Sequence, residues 1–498
     1  MDMKCQLYTR RAWLRKSLCA SLGAGAAAGW PFSVWSQVAG ANHDLRLAVI
    51  GLRLRGAQLL EALRGVPGTR VVALCDVDSE ILSEQKQKLA AANQPVEAVV
   101  DFRRILDRKD VDAVVIATPD HWHALMTVWA CQAGKDVYVE KPVSHNLWEG
   151  RQMVLAARKY GRIVQAGTQD RSDVGLQAAA EFLRQGGLGR IKLARVFDNV
   201  RRESIGKVDG PQPIPLSVDY NLYQGPAPLE PLRRKNLHYD WHFVWPTGTG
   251  DCGNRGIHCL DHARWLVGVD TLPKRVMTIA GRLGYDDDGQ TPNSQVTWFD
   301  TQPVPMLYEL RSLPHAKGSN QMEAFQGLRT SMVIECDGGY LTGGRGGAKA
   351  RFNDGKPIKN FPGDSGRTHA ANFIAAVRSR KREDLRAEIL QGHISTTFCH
   401  LANISYQVGR PCPPAEIAAA VGEQPLLAES FDRLARHLQA NEVDLAKTPL
   451  TLGPLLTFDA TNERFTGNAS EQANALLART YRRPFVLMRV DEVSPTTS

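Results

Sequence analysis

Between residues 45 and 170 the chain alternates short apolar runs with longer stretches of helical period. Runs at 45–50, 71–75, 111–117, 136–139 and 163–169 are rich in Val, Ile, Leu and Ala, and each reads as a strand buried on both faces. Between them, 57–63, 124–133 and 147–159 carry apolar residues at helical spacing, and Gly134 closes the second. Repeated strand–helix units of this length predict a doubly wound parallel sheet. Beyond the Gly-rich turn at 186–189 the pattern changes. Strand-like segments at 191–197, 275–280, 294–299, 305–310 and 330–336 follow with few helices between them, which predicts a largely antiparallel sheet. Helical runs return at 370–378, 389–401 and 430–440. Residues 200–240 are rich in Pro, Gly and charge and read as a long loop, of the kind that is functional or an oligomer arm. Beyond about 440 the apolar segments 448–452 and 484–487 predict a tail that packs on the body.

The N-terminus carries a different signal. Arg10-Arg11 precedes an apolar, Gly/Ala-rich run at 18–30, and Ala39-Gly40-Ala41 offers the small residues a signal peptidase reads. The segment resembles a twin-arginine export signal. It is too short and too Gly-rich to span a bilayer comfortably, so a periplasmic or otherwise exported protein without stable membrane insertion is expected. The expected domains are the signal at 1–41, a nucleotide-binding domain at 42–170, a substrate and oligomerisation domain at 171–425, and a packed extension at 426–498.

At 498 residues two domains are expected. The net charge is +9, and Lys4, Arg10, Arg11, Arg15 and Lys16 against Asp2 place almost half of it in the signal. No Lys/Arg stripe interleaved with aromatics follows, so nucleic acid is not an expected partner. Seven dispersed cysteines remain after Cys5 and Cys19, with no CxxC pair, which argues against a disulfide scaffold or a cysteine zinc site.

Three stretches carry chemistry. In the first, the strand at 45–50 runs into Gly51-Leu52-Arg53-Leu54-Arg55-Gly56 and then a helix, the context of a dinucleotide-binding turn. Its middle glycine is replaced by Arg53, so Arg53 and Arg55 are candidates to place guanidinium groups against phosphate. Asp76 ends the next strand, where a carboxylate accepts from ribose hydroxyls and repels a 2′-phosphate, favouring NAD over NADP. In the second, Asp136 to Pro142 reads as a strand whose carboxyl end presents Glu140 and Lys141, with Pro142 ending the ladder. An ammonium at that edge can donate to a substrate oxygen or exchange a proton. In the third, glycines at 248, 250, 253 and 256 precede a helix with Ile257, Leu260, Ala263 and Leu266 on one stripe. His258 and His262 share a face, with Asn254 and Asp261 within a turn. With no distant acidic ligand evident to complete a metal site, none is assigned. Trp241 and Trp245 are candidates to stack on sugar faces, or to pack as core.

The Gly51–Gly56 turn, Asp76, Ala117-Thr118-Pro119 with His123, and Glu140-Lys141-Pro142 together resemble the Gfo/Idh/MocA oxidoreductases over about residues 45–420. Asp120 stands where that family often has Asn. The resemblance implies an N-terminal Rossmann domain for a nicotinamide cofactor and a C-terminal α+β domain whose open, mostly antiparallel sheet builds a sugar site. It implies that Gly51, Arg53, Arg55, Gly56, Asp76, Thr118, Pro119, His123, Glu140 and Gln169 lie at the cofactor. Lys141 and His258 would be catalytic, and Asn254, Asp261, His262 and Trp241 would meet the substrate. The implied activity is NAD(P)-dependent hydride transfer at a CH–OH group of a sugar, with a tightly bound cofactor and a homo-oligomer formed through the C-terminal sheet. A redox-neutral glycosidase or lyase working by transient sugar oxidation shares these first-domain residues. A non-catalytic sugar- or nucleotide-binding protein is the reading that the altered glycine turn supports.

Overall fold

The computed structural model describes residues 44–492; the expected export signal lies outside them. Six strands form a wholly parallel sheet: β1 (Leu45–Ile50), β2 (Thr69–Cys75), β3 (Glu97–Val99), β4 (Ala113–Ile116), β5 (Asp136–Val139) and β6 (Val164–Ala166). Their order, β3-β2-β1-β4-β5-β6, reverses between β1 and β4, the switch point at which such sheets bind ligands. β4 and β5 are buried at every residue because apolar clusters cover both faces. One joins Leu59, Leu60, Leu63 and Leu82 to Phe373 and Val377; the other joins Leu125, Val128, Met153 and Ala156 to Phe102.

The last strand is shorter than the apolar run at 163–169. β6 ends at Ala166; Gly167 still donates its N–H to the Val139 carbonyl at 2.7 Å and lies against Glu140, where a Cβ would come within 2.9 Å of the Glu140 Cα. Gln169 therefore sits on a short 3-10 turn, Gln169–Ser172, rather than on the strand.

The second sheet has twelve strands. Ten follow the order β14-β13-β12-β11-β7-β10-β9-β8-β16-β15, and β17 and β18 lie off this path, β17 against β8. It is antiparallel except where β7 (Ile191–Asn199) meets β10 (Met306–Arg311). β8 (Arg275–Gly281), β9 (Ser294–Asp300) and β11 (Thr330–Cys336) fall where the hydrophobic pattern puts them. β12 (Tyr340–Gly344), β13 (Gly347–Arg351) and β14 (Pro357–Pro362) do not announce themselves in sequence, because glycines and charges mask the alternation at a solvent-facing end.

The inner face packs on the helices Val174–Arg184, Ile257–Leu266 and Ile389–Gln407. The outer face of β8–β10 is covered by the chain's own helix Pro425–Ala440. Its Leu427, Phe431, Leu434 and Leu438 meet Met277, Val296, Trp298 and Leu307, at about 1.5–3 kcal/mol for each large side chain buried.

The tail is built into both halves. Its β16 (Leu450–Leu452) joins β8 to β15 (Arg410–Cys412), its β17 (Leu456–Asp459) also pairs with β8, and β18 (Arg464–Thr466) pairs with β17. Farther on, Phe485 stacks edge-on against Trp122 at 5.3 Å. Arg479 bridges the His121 carbonyl at 2.7 Å and the Glu149 carboxylate at 3.0 Å.

Candidate active site

A cavity of about 1010 Å³ opens at the carboxyl rim of the parallel sheet, under the second sheet's inner helices. Its first half is made by the strand-to-helix turn after β1. Gly51 has φ +81°, and a Cβ there would lie 2.6 Å from the Ala117 carbonyl oxygen; a Cβ on Gly56 would lie 1.8 Å from the Gly51 oxygen. Both positions therefore demand glycine. Gly56 does its work from behind the turn and is not on the cavity wall.

Arg53 caps the helix Leu54–Arg64 in extended conformation, and its Nη1 reaches the His238 carbonyl at 2.8 Å. Arg55 donates through Nε to Glu140 Oε1 at 2.7 Å. Both arginines line the cavity beside the backbone of Gly51. Burial works against the charge on Glu140, but Arg55 and then Lys141 outweigh it and hold the carboxyl below its usual range. Asp76 lines the cavity while accepting the Leu52 N–H at 2.7 Å and the Asp78 N–H at 3.0 Å. Burial raises its pKa. Each oxygen keeps a lone pair for a further donor.

Thr118 and Pro119 form the wall beside it, and the Thr118 hydroxyl is a buried polar atom without a hydrogen-bond partner. His123 does not offer a ring nitrogen to a ligand. Its Nδ1 lies 2.6 Å from the Pro142 oxygen and its Nε2 2.8 Å from the Thr118 oxygen, so it ties the two turns together. A turn whose end glycines admit no Cβ, two arginines beside it, a helix N-terminus and a carboxylate ending β2 together fit a dinucleotide.

The second half centres on Lys141. Its Nζ donates to the Asn254 carbonyl at 2.7 Å and the Asn254 Oδ1 at 3.1 Å. Asn254 reaches it from a single π-helical turn, Cys252–Gly256, that leads into the helix Ile257–Leu266. Such a turn inserts one residue and re-aims the side chains beside it. Gly256 permits this because its Cα faces the Tyr308 hydroxyl, 2.3 Å from where a Cβ would be. Burial lowers the Lys141 pKa, opposed by Glu140 and Asp120.

His258 faces the same cavity. Its Nδ1 is 3.9 Å from Asp170 Oδ2 and has no hydrogen-bond partner. Burial first, then the Lys141 charge, push it well below the ordinary imidazole value. His262 lies 2.9 Å from the same Asp170 oxygen through Nε2, and Arg345 approaches Asp170 Oδ1 at 3.2 Å. Burial alone would raise Asp170, but the bond to His262 and the charges around it hold it far below the carboxylate range. Trp241 lines the cavity, stacked on His242 at 3.6 Å between centroids, with its Nε1 on the His238 oxygen at 3.2 Å.

Besides Gly56, two expected site residues lie off the cavity. Asp261 is fully buried; Arg171 grips both its oxygens at 2.8–2.9 Å and the Ser395 hydroxyl donates to it at 2.5 Å. Its charge is spent on anchoring the helix, not on a substrate. The Gln169 amide lies between the Gly167 carbonyl and Arg345, below the cavity wall. Trp245 is likewise off the cavity and packs near Tyr406.

The structure adds residues that the sequence reading did not assign. Asp120, first in the helix Asp120–Gln132, lines the cavity 2% exposed and accepts the Thr249 hydroxyl at 2.7 Å. Asp170 ties both histidines together, yet no spacing marks it. Arg345 does have a signal: it is the tip of Gly343-Gly344-Arg345-Gly346-Gly347, glycines flanking one cation.

The 200–245 segment forms an arch across the rim. Ser79 donates to the Ser217 carbonyl at 2.9 Å, His238 Nε2 lies 2.9 Å from Asp78 Oδ2, and Arg53 closes the third contact.

Comparison with known proteins matches residues 45–168 to an oxidoreductase family, NAD-binding Rossmann fold, and residues 200–301 to an oxidoreductase family, C-terminal alpha/beta domain. A glycosyl hydrolase family 109 protein of Saccharopolyspora erythraea is 32% identical over 163 residues, 28% of this chain and 36% of the relative. One of Solibacter usitatus is 35% identical over 155 residues, 28% of this chain and 35% of the relative. The chain thus spans about a third of the length of these relatives. A levoglucosan dehydrogenase in complex with NADH superposes with TM-score 0.55 at 17% identity, covering 72% of this chain and 96% of that one. An aldose-aldose oxidoreductase from Caulobacter crescentus complexed with glycerol gives 0.54 at 17% identity, covering 72% and 97%. At such identities the likeness is one of fold.

Proposed function

We propose that this chain, whose two matched domains belong to the Gfo/Idh/MocA oxidoreductase family, is an NAD-dependent oxidoreductase acting at a CH–OH group of a sugar or sugar derivative. The observation that carries this reading is one cavity in which an ammonium held by Asn254 and a neutral imidazole with an unpartnered Nδ1 stand beside a turn whose end glycines admit no Cβ. A nicotinamide bound there supplies the hydride acceptor or donor. Lys141 donates a hydrogen bond to the hydroxyl oxygen and stabilises negative charge as its proton leaves. His258, kept neutral by burial, accepts that proton. Asp170 orients His262 and the neighbouring imidazole, and Trp241 offers an apolar face to the sugar ring. Asp76 favours NAD over NADP by accepting from the ribose hydroxyls.

Two observations favour a redox-neutral variant, in which the sugar is oxidised, cleaved and reduced again on one retained nucleotide. The arch from Ser217 to His238 is fastened to Asp78 and Arg53 over the nucleotide half of the cleft, which supports slow cofactor exchange. The curated relatives carry a glycoside hydrolase name. The test is a panel of sugars and aryl glycosides on the purified full chain, with mass spectrometry of nucleotide released on denaturation. Turnover of a free sugar with NADH formation supports net oxidation; cleavage of a glycoside without added NAD supports the redox-neutral cycle; no nucleotide and no turnover defeats both.

Export through the Arg10-Arg11 segment belongs to the same proposal. A folded, cofactor-loaded protein suits a compartment outside the cytoplasm, and replacing both arginines by lysine should leave the protein inside the cell. Self-association is proposed through the part of the second sheet that the chain's own helix leaves open, β12–β14, where Lys349 and Asn360 are exposed while also lining the cavity.

A further inference from the structure

Tyr239 presents a hydroxyl on the cavity wall that the reaction outlined above does not use. It stands where the arch passes from the nucleotide half of the cleft toward the half around Lys141. The preceding residue, His238, lies 2.9 Å from Asp78 Oδ2 through Nε2, and its carbonyl accepts from Arg53 at 2.8 Å. On the other side, Arg202 Nη1 donates to the Tyr239 hydroxyl oxygen at 2.5 Å. Arg202 is itself locked. Its Nε and Nη2 grip the buried Asp251 carboxylate at 2.8–3.2 Å. Its N–H donates to the Ser312 carbonyl at 3.1 Å, and its carbonyl accepts from the Tyr285 hydroxyl at 2.5 Å. Asp251 is three residues before Asn254, whose carbonyl and Oδ1 hold the Lys141 ammonium. Three helical residues advance only about 5 Å along the axis, so one short segment sets both the ammonium and the phenol.

A phenol offers one donor and two acceptor positions. Arg202 occupies one lone pair, so the O–H proton points elsewhere, and no acceptor meets it among the described residues. Charge is cancelled around it. Arg202 is paired with Asp251, Arg255 with Asp198 and Arg345 with Asp170. Lys349 is the cation on the second sheet's wall without a carboxylate among the described residues, and it stands exposed. Two residues on from Tyr239, Trp241 lines the same cavity, stacked on His242 at 3.6 Å. One short turn thus carries an apolar face and a free hydroxyl donor, the pair of groups that suits a sugar's C–H face and its oxygens.

We propose that Tyr239 is a substrate-binding residue whose O–H, with its oxygen held by Arg202, donates a hydrogen bond to an uncharged oxygen of the sugar other than the one on Lys141. This contact rests on the oxidoreductase reading above and narrows its substrate to a neutral sugar or glycoside. A guanidinium already matched by Asp251 has no spare charge to offer a carboxylate or a phosphate. No covalent bond forms or breaks at Tyr239. The hydrogen bond is made alike in the ground state and the transition state, so its loss is felt in KM rather than in kcat.

The test is steady-state kinetics of the purified full chain on neutral pyranoses and aryl glycosides. Each is run beside its matching uronate and 6-phosphate, and beside monodeoxy analogues of whichever sugar turns over. In the native chain the neutral sugar should be favoured at least about tenfold in kcat/KM over both acidic forms. Tyr239→Phe should raise KM about 10- to 100-fold with kcat changed less than about threefold. Nucleotide content, read by mass spectrometry after denaturation, should be unchanged. One monodeoxy analogue should lose a similar factor in the native chain and lose nothing further in Tyr239→Phe, as two changes to a single contact do. Preference for the uronate or the phosphate overturns the proposal and needs no variant. A KM within about threefold of native in Tyr239→Phe overturns it, and so does a loss that adds to that of every deoxy analogue, which makes Tyr239 a structural residue. Sugar turnover that ignores Tyr239→Phe defeats this contact alone, whereas no turnover of any sugar or glycoside by the native chain defeats the proposed function and the contact together.

Discussion

Acid should weaken this protein well before its carboxylates titrate. Burial pushes His121, His242 and His400 down to about 3 and His369 to about 4. Each is therefore neutral when folded, whereas an unfolded histidine takes a proton below about 6.5. The unfolded chain binds more protons in that range, so stability is complete above pH 6.5 and falls as pH drops toward the folded values. From 6.5 to 5 each histidine contributes about 2 kcal/mol, or about 8 kcal/mol for the four. Asp120 acts in the opposite sense. Its folded value, raised to about 7, means that it takes a proton on folding, offsetting about 2 kcal/mol between pH 6.5 and 5. Asp76 and Asp198, also raised by burial, trim the loss, whereas His123, His145, His258 and His437, lowered by burial, add to it. Glu323 and Glu463, lowered to about 2, act only below about 4.5 and stay silent in this window. The four histidines less Asp120 leave an expected loss of about 6 kcal/mol between pH 6.5 and 5, a large part of the about 5–15 kcal/mol typical of a folded chain. Urea unfolding followed by tryptophan fluorescence at pH 7, 6.5, 6, 5.5 and 5 measures it. His400→Gln, which can keep the contact to the Ser144 hydroxyl at 3.3 Å, should reduce the loss by about 2 kcal/mol. Stability that is level or rising from pH 6.5 to 5 would refute the assignment of these histidines as buried and neutral.

Other expectations are narrower. Lys141→Met should lower kcat about 10²- to 10⁴-fold with little change in KM, read from steady-state kinetics on whichever sugar turns over; unchanged kcat removes Lys141 from the chemistry. Asp76→Ser should weaken NAD about 10- to 100-fold, the worth of a hydrogen bond to a charged group, and narrow the preference over NADP; calorimetric titration of nucleotide-stripped protein decides. His238→Ala unfastens the arch from Asp78 and should speed nucleotide release at least about tenfold, measured by fluorescence on dilution; an unchanged off-rate means that the arch holds nothing in. Gly51→Ala forces a Cβ to within 2.6 Å of a carbonyl oxygen at φ +81° and should destabilise by at least about 1–3 kcal/mol, visible as a lowered Tm.

The parallel sheet was readable in the chain because each strand is buried on both faces and so spells out a continuous apolar run. β4 and β5 stand almost where those runs lie. Lys141 at the end of β5 was readable for the same reason, since a strand end at a sheet edge is a local feature. Gly51 and Gly56 were readable because a tight turn leaves no room for Cβ, which is a property of backbone alone.

Tertiary structure decided everything that depends on which distant groups arrive. Asp261 and His258 look equivalent on one helix, yet Arg171 and Ser395 reach the first from elsewhere and consume it, while His258 is left facing the cavity. Arg53, in the glycine's place, is harmless to the turn because His238, 185 residues away, supplies an acceptor. Asp120 reads as a minor exchange in sequence and becomes a titrating group once burial and Thr249 surround it. Backbone propensity and burial periodicity act within a few residues and leave a pattern in the chain. Charge pairing and desolvation act through space, so they are settled only when the fold closes.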